Sequence, residues 1–325
     1  MNELMQIREI MRNRGVICSL EQFQSAVNII FHKYESQVYD ELHRDMWKSL
    51  PKQFELLVAD CLLRHPALPN SLRVLDVGCG TGLASNSLLK TELGSRISSI
   101  DLLDTSALML CNASERAKSW NVPVRCLEGV LDAVDLRDHY EVIVTCSVLH
   151  HVPDIPGFLG TIRRLQAGGD VFMHLQDPNG DYLADPELNA RLVQAQKELP
   201  QPASRFHPRR IVGRLYRELT GKQRNDYIAK ANRELVQSGL LKEPLTVSEL
   251  FSITDIHVHD GKGISVSEFR GLLQDYELIG HRSYGFLGKL VSSLPDDLQK
   301  EEERLIATHA LNGFQLGAVW QRLRP

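Results

Sequence analysis

The stretch "VLDVGCGTG", residues 74–82, is the strongest indication of the fold in this chain. An apolar run ends in Asp76, and glycines follow at alternate positions, Gly78, Gly80 and Gly82. Glycine adopts left-handed backbone conformations without steric cost, so a strand that ends in such a turn can present backbone N–H groups to a ligand at close range. The stretch therefore predicts a strand, a ligand-binding turn and a helix, in that order.

Around this turn, short β-branched runs alternate with helical stretches between about residues 72 and 176. Strands that alternate with helices predict a parallel sheet covered by helices on both faces. The predicted core is therefore a doubly wound α/β domain over residues 69–177. Its strands are expected at "RVLDV", "RISSIDLL", "VPVRCL", "YEVIVTCS" and "GDVFMHL".

Helical patterns flank this core on both sides. Residues 1–68 form a predicted N-terminal helical segment, with one apolar face at Phe23, Val27, Ile30 and Tyr34. Residues 178–262 form a predicted helical insertion. Its helices are expected to begin at Pro186, to run from Pro208 to Gly221, and to run from about 222 to 241.

Residues 263–325 are expected to return to the core. The capping-box pattern from Ser265 to Glu268 starts a helix there, and "GFQLGAVWQRL" supplies a last strand near residues 313–322. The insertion would then lie over the strand tips, where it can act as a lid that shapes a pocket and excludes water.

The composition bounds the function. The chain has 325 residues, 43% of them hydrophobic and 24% charged, with a formal net charge of −4. This is typical of a globular protein without general attraction to nucleic acid or anionic membranes. Nine Lys or Arg between Arg205 and Arg233 are interpreted as the solvated face of a helix. The six cysteines show no CxxC spacing, and no signal peptide or membrane span is visible, so a cytoplasmic location is expected.

The glycine spacing distinguishes two families of nucleoside-binding proteins. Dinucleotide dehydrogenases use GxGxxG, but Leu83 stands where their third glycine is needed. With Asp76 ahead of it, "LDVGCGTG" resembles the first motif of the class I S-adenosylmethionine-dependent methyltransferases. Three further segments are similar to that family in the same order, over about residues 70–177 and 263–322: "DTSALMLCNA", "CSVLHHVPD", and "SVSEFRGLLQDYELIGHRSYGFL" with "GFQLGAVWQRL".

The resemblance implies a seven-stranded Rossmann-like sheet with an antiparallel last pair, and S-adenosyl-L-methionine as cofactor. It implies that Asp104 accepts hydrogen bonds from both ribose hydroxyls, and that a tyrosine such as Tyr39 closes over the cofactor's carboxylate. After the third strand the family has an acid directly following a glycine, but Val130 stands at this position. Asp132 is the expected substitute, and Val130 or Leu131 is then expected to pack on the adenine ring. The implied cofactor-binding residues are Tyr39, Asp76, Gly78, Cys79, Gly80, Gly82, Asp104, Thr105, Val130, Leu131, Asp132, Cys146 and Ser147.

Catalysis by methyl transfer to oxygen or nitrogen gains from a base with a pKa near neutrality, which suits histidine. His151 before Val152 matches a histidine with a catalytic role in the similar phosphoethanolamine methyltransferases. Its neighbour His150 points elsewhere in the expected geometry, so only one of the two is predicted to face the methyl group. His174 is a third candidate, on one strand face with Gln176, while Asp177 is expected to begin the exit loop. A packing role for each histidine is the alternative.

His257 and His259 raise the question of a metal, because alternate residues of a predicted strand project from one face. Two imidazoles do not make a site, and no third ligand is visible nearby, so no metal is predicted. The alternative is that both histidines line the substrate wall.

The sequence therefore predicts a methyltransferase that acts on oxygen or nitrogen of a small aromatic or otherwise apolar metabolite, with neither nucleic acid nor membrane as partner and a homodimer left open. Three alternatives stay open: RNA or protein as the methyl acceptor, a non-catalytic scaffold that keeps the fold, and a nicotinamide-dependent dehydrogenase.

Overall fold

The structure is a computed structural model that describes residues 3–65, 68–198, 226–259 and 262–324. The helix expected from Pro208 to Gly221, and most of the basic stretch around it, lie outside the described residues. Within the described part of the chain, no helix is both long and apolar enough to cross a membrane.

A seven-stranded sheet forms the centre of the fold, in the order β3-β2-β1-β4-β5-β7-β6. The first five strands are parallel, and β7 runs antiparallel to both β5 and β6. This confirms the predicted Rossmann-like architecture with its antiparallel last pair. The strands are β1 Leu72–Val77, β2 Ile97–Asp104, β3 Val124–Glu128, β4 Val142–Cys146, β5 Val171–Pro178, β6 Tyr276–Tyr284 and β7 Gln315–Arg322.

Helices cover both faces of this sheet because its central strands are apolar on both sides. In β4, for example, Val142 and Val144 face one hydrophobic cluster and Ile143 faces another. The first cluster is completed by α4 Arg44–Arg64, α5 Leu83–Leu88, α6 Ala107–Ala117 and α13 Asp296–Ala307. The second is completed by α7 Ile155–Arg164 and α12 Val266–Leu272.

The N-terminal helices and the insertion share a third hydrophobic cluster. Phe23 and Val27 from the first segment are fully buried there with Leu235 and Leu250 from the second. We call the helices that share this cluster the helical cap: α1 Glu3–Asn13, α2 Leu20–Glu35, α9 Asp226–Gln237, α10 Val247–Thr254 and α11 Ile256–His259. Two further helices lie outside the cap, α3 Tyr39–Leu42 before α4 and α8 Pro186–Glu198 after β5.

Local signals fixed the start of several helices. The Asp185 carboxylate accepts the Leu188 N–H at 2.7 Å, as the Asp-Pro pair predicts for the start of α8. Ser265 caps α12 by accepting the Glu268 N–H at 3.0 Å.

Two expectations about secondary structure were wrong, and one helix was not predicted. The segment with His257 is the helical turn α11, so His257 and His259 are not alternate residues of a strand. Asp177 is not the start of a loop, because β5 continues through it to Pro178. Helix α13, between β6 and β7, was not anticipated.

Candidate functional site

A cavity of about 720 Å³ opens at the carboxyl ends of β1, β2 and β4, beneath helices α2 and α10 of the cap. Parallel strands of a doubly wound sheet place their ligands at this edge. Twelve of the residues proposed from the sequence line it: Tyr39, Gly78, Gly80, Asp104, Thr105, Val130, Leu131, Asp132, Cys146, Ser147, His150 and His151.

The glycine turn after β1 forms one wall of the cavity. Gly78 and Gly80 both have left-handed backbones, with φ of +65° and +53°. A Cβ at Gly78 would lie 2.5 Å from Val148, whereas one at Gly80 would meet no atom of the described residues within 4 Å. The open side of Gly80 is thus a cradle that a ligand can approach.

Asp104 stands at the tip of β2, opposite this cradle. Its Oδ2 accepts the Gly80 N–H at 2.8 Å, and its Oδ1 accepts the Ser106 N–H at 2.9 Å. Burial raises the pKa of this carboxyl. A carboxylate has about four acceptor sites, more than these bonds use, so acceptor capacity remains for a diol such as that of a ribose. Cradle and carboxylate together fit the nucleoside of S-adenosylmethionine.

Asp76, Cys79 and Gly82 lie behind the turn rather than in the cavity wall. The Asp76 Oδ2 accepts the hydroxyl of Ser85 at 2.6 Å and its N–H at 3.1 Å, and burial raises the pKa of Asp76 to about 7. The Cys79 N–H donates to the Leu103 carbonyl at 3.0 Å. In this structure these three residues hold the turn in shape, and they do not reach the ligand space.

The loop after β3 borders the same space. Leu131 is buried, whereas Val130 is 48% exposed. Asp132 is bound to α7: its Oδ1 accepts from the Thr161 hydroxyl and, at 3.0 Å, from the Arg164 guanidinium. Asp132, the expected substitute for the family's adenine-binding acid, therefore already has partners on α7.

Helix α3 is tied to the glycine turn by a carboxylate that the sequence analysis did not identify. Asp40 accepts the Trp47 indole N–H at 3.0 Å, the Thr81 hydroxyl at 2.6 Å and the Arg116 guanidinium at 2.7 Å. The Arg116 guanidinium also lies 4.0 Å from the centre of the Trp47 ring. This network holds the neighbouring Tyr39 at the cavity.

His150 and His151 both line the cavity, and which of the two faces the methyl group stays a prediction. They lie on a 3-10 turn after β4, with ring centres 4.0 Å apart. The His150 Nδ1 lies 2.8 Å from Oδ1 of Asp177, which also accepts the His150 N–H at 3.2 Å. Since the carboxylate accepts, Nδ1 carries the proton, and Nε2 keeps a free lone pair when the imidazole is neutral.

His151 has a different partner. Its Nδ1 donates to the Thr254 carbonyl of α10 at 2.7 Å. Burial, and then the neighbouring His150 and His32, hold the pKa of His151 well below its usual range. His151 is therefore a neutral ring at neutral pH.

A charged group stands beside this neutral ring, at the end of α2. The Glu35 carboxylate lies 3.0 Å from Nδ1 of His32 and 3.4 Å from Nε2 of His43. Burial alone would raise the pKa of Glu35, but the hydrogen bonds to both histidines outweigh burial and hold it at about 2. Burial opposes the charged form of His32, yet the bond to Glu35 raises its pKa. The His32 ring meets the His151 ring edge to face, with centres 5.3 Å apart.

His174 does not line the cavity. It is fully buried beside Phe172 and Phe269, and its Nε2 accepts the Trp320 indole N–H at 3.1 Å. Burial lowers its pKa to about 4. A bulge after Leu175 leaves Gln176 with φ of +63° and brings Asp177, not His174, to His150.

A metal ion has a candidate set of ligands in the cavity. One ligand atom each of His150, His151 and Asp255 lies within 4.8 Å of the others. The pair considered from the sequence is elsewhere: His257 Nε2 lies 3.0 Å from the Val152 carbonyl. The set in the cavity combines two segments that lie about a hundred residues apart, so local spacing gave no signal for it.

Comparison with known proteins gives one family match. Residues 75–171 match the family model described as a methyltransferase domain. Part of the chain is also similar to ubiquinone biosynthesis O-methyltransferases. It is 31% identical to that of Rhodopseudomonas palustris strain HaA2 over 104 residues, 32% of this chain and 39% of the relative. With that of Paramagnetospirillum magneticum it shares 35% identity over 103 residues, 31% of this chain and 39% of the relative.

The matched part of this chain spans only 39% of the length of these two curated relatives. Among solved structures, the plantazolicin methyltransferase BpumL in complex with SAH aligns with 98% of this chain and 100% of its own, at 14% identity and a TM-score of 0.49.

Proposed function

Residues 75–171 of this chain are a domain of the class I, S-adenosylmethionine-dependent methyltransferase family, and from this premise we propose a function for the whole chain. The predicted methyltransferase family is thereby confirmed for these residues, and S-adenosyl-L-methionine is the cofactor proposed with it. We propose that the chain is an enzyme that transfers a methyl group to an oxygen or nitrogen atom of a small, largely apolar acceptor. One observation carries the proposal: the cradle at Gly80, the Asp104 carboxylate and the His150–Asp177 pair line or adjoin one cavity.

The cofactor side of the cavity binds through backbone and carboxylate groups. Gly80 offers an open approach for the ligand, and Asp104 offers its remaining acceptor capacity to a ribose diol. When bound, S-adenosylmethionine supplies an electrophilic methyl group on its sulfonium. Transfer is an in-line displacement, so the chain contributes mainly alignment and exclusion of water.

We propose His150 as the general base, with Asp177 as its positioning residue. Asp177 fixes the tautomer in which Nε2 of His150 accepts a proton, and its charge stabilises the imidazolium that forms. The His151 Nδ1 lies 2.7 Å from the Thr254 carbonyl and 3.4 Å from Oδ1 of Asp255, and its lowered pKa makes His151 a weak base. This choice differs from the preference for His151 that the family resemblance implies.

The acceptor is proposed from the cavity wall and from the relatives. Phe31, Phe158 and Phe251 line the cavity, which suits an aromatic or otherwise apolar molecule. The ubiquinone biosynthesis relatives are named O-methyltransferases, which favours oxygen as the acceptor atom. A phenolic hydroxyl meets both requirements, and its proton is the one that His150 would remove.

The test is a transfer assay with isotope-labelled methyl donor and a panel of phenols, amines, RNA and protein acceptors. We expect label in a phenol. His150→Gln should then lower turnover by about 10²–10⁴-fold, the usual contribution of a general base, without weakening cofactor binding. Asp177→Asn should also lower turnover and move the pH profile, because an amide in place of the carboxylate no longer fixes the tautomer of His150 or stabilises its imidazolium.

His309→Asn is the control, since His309 is exposed and far along the chain from the cavity residues. A His150→Gln enzyme with wild-type turnover would exclude this histidine as the base. Cofactor binding without label in any acceptor would instead favour the scaffold alternative.

A further inference from the structure

One face of helix α2 runs along the cavity. Gln24, Asn28 and His32 all line it, and they follow each other at intervals of four residues. Residues four apart lie one above the other on a helix, about 6 Å apart along its axis. Measured from His32, Asn28 is therefore about 6 Å away and Gln24 about 12 Å away along α2.

The two amides on this face lack partners. Gln24 is 1% exposed, yet neither its Oε1 nor its Nε2 has a hydrogen bond within the described chain. The Oδ1 of Asn28 is likewise buried and unpaired among the described residues. A buried polar group without a partner costs about 1–3 kcal/mol, and native proteins carry few of them. Two such groups, one turn apart and both in a cavity wall, point to a ligand that supplies the partners.

We infer that Gln24 and Asn28 bind the end of the methyl acceptor that is remote from the reacting atom. The inference rests on the proposed function in one respect, namely that the reacting atom of the acceptor lies near His150 and His151. His32 lies at the end of the cavity where the reacting atom is placed, because its ring contacts the His151 ring. Phe31 and Phe251 line the cavity as well, so the body of the acceptor between its two ends is apolar.

The chemistry of the amides selects the remote group. The Gln24 Nε2 needs an acceptor, while the Gln24 Oε1 and the Asn28 Oδ1 need donors. A carboxylate cannot donate, and an ammonium group cannot accept. Glu21 also lines this end of the cavity and disfavours an anion. A neutral carboxamide, which both donates and accepts, satisfies the set, so the acceptor is an elongated phenol with an amide at its far end.

Binding of three probes tests this subsite without any need for turnover. The probes are a hydroxybiphenyl with its hydroxyl and a carboxamide at opposite para positions, and two analogues with methyl or carboxylate in place of the carboxamide. Affinity is measured by calorimetry on the full chain saturated with S-adenosylhomocysteine. We expect the carboxamide to bind about tenfold or more tightly than either analogue, as for a site built to hydrogen-bond its ligand.

Gln24→Leu should abolish the preference for the carboxamide over the methyl analogue. The same variant should not lower the melting temperature, because an apolar side chain of similar size removes a buried, unpaired group. Gln6→Leu, which changes an exposed glutamine of α1, should keep both the preference and the melting temperature.

Equal affinity for the three probes in the wild type would overturn the inference. A preference that survives in both Gln24→Leu and Asn28→Leu would also overturn it, since the selecting group would then lie elsewhere. Labelled-methyl transfer to the probes is scored separately. Preferential binding without transfer contradicts the proposed function and keeps the subsite, whereas transfer without preference contradicts the subsite alone.

Discussion

Asp104 shows how one side chain prepares a binding site before the ligand arrives. Its two oxygens accept the N–H groups of Gly80 and Ser106. These bonds fix the carboxylate relative to the glycine cradle, so little orientation is left to lose on binding. The remaining lone pairs are the ones proposed for the ribose.

Asp104→Asn should weaken the binding of S-adenosylmethionine. The amide keeps one accepting oxygen but replaces the other with an NH₂ group, which cannot accept from Gly80 or from a hydroxyl. Loss of such charge-assisted bonds corresponds to about 1–3 kcal/mol, or roughly 5–150-fold in the dissociation constant measured by calorimetry. Asp135→Asn makes the same charge change on an exposed loop residue and should leave the affinity unchanged. Wild-type affinity in a folded Asp104→Asn protein would remove Asp104 from the cofactor site.

At the scale of single elements, the parts of the fold that the sequence predicted are those with a local cause. Strand β1 and its turn follow from an apolar run and three glycines, and Asp104 follows from its position at the end of β2. The partner of His150 has no such local cause. Regular alternation along β5 put His174 and Gln176 on one face, but the bulge at Gln176 changes the alternation and brings Asp177 to the cavity edge. A bulge leaves no clear mark in a single sequence.

The carboxyl end of α2 depends on pH through Glu35 and His32. Glu35 has a folded pKa of about 2 against an ordinary 4.5, so its stabilisation is complete above pH 4.5 and is lost as pH falls through 2. The pKa of His32 is raised above 6.5, so its stabilisation is present below 6.5 and is lost as pH rises through the raised value. The pair therefore stabilises the fold most between about pH 4.5 and 6.5.

Glu35→Gln should accordingly lower the free energy of unfolding by about 1.5–3 kcal/mol within that window, the usual range for hydrogen bonds to a charged group. The difference between wild type and variant should shrink toward both more acidic and more alkaline pH. Urea unfolding at a series of pH values measures it. Glu55→Gln, in an exposed pair with Lys52, should change stability by less than about 0.5 kcal/mol at every pH. A Glu35→Gln difference that stays constant with pH would contradict the assigned charges.

At the scale of the whole molecule, the candidate site exists because two distant segments of the chain meet in the helical cap. The Tyr34 hydroxyl of α2 donates to Glu234 of α9 at 2.6 Å, and the Lys33 ammonium donates to the same carboxylate at 2.8 Å. Amphipathic patterns predicted helices in both segments, but a pattern shows only that a helix has an apolar face, not which helix covers it. The positions of Gln24 and His32 in the cavity wall could therefore not be predicted from the sequence.

The helical cap and the sheet have separate hydrophobic clusters. A side chain shortened by mutation in the cap cluster should therefore destabilise the cap and leave the sheet stable. Leu235 is fully buried in the cap cluster, and Leu235→Ala should cost about 2–5 kcal/mol, as large-to-small changes in a core do. We expect amide hydrogens in α2, α9 and α10 to lose protection from exchange while those in β1 and β4 keep theirs, because local opening follows local packing.

In the Leu235→Ala protein, binding of the biphenyl carboxamide should weaken more than binding of S-adenosylmethionine, since α2 carries the amides proposed for the acceptor. Leu235→Met preserves most of the volume and should cost less than about 1.5 kcal/mol, with protection retained. Protection lost to the same extent in β1 and β4 would mean that cap and sheet unfold as one unit, and a selective effect on the acceptor would then not be expected.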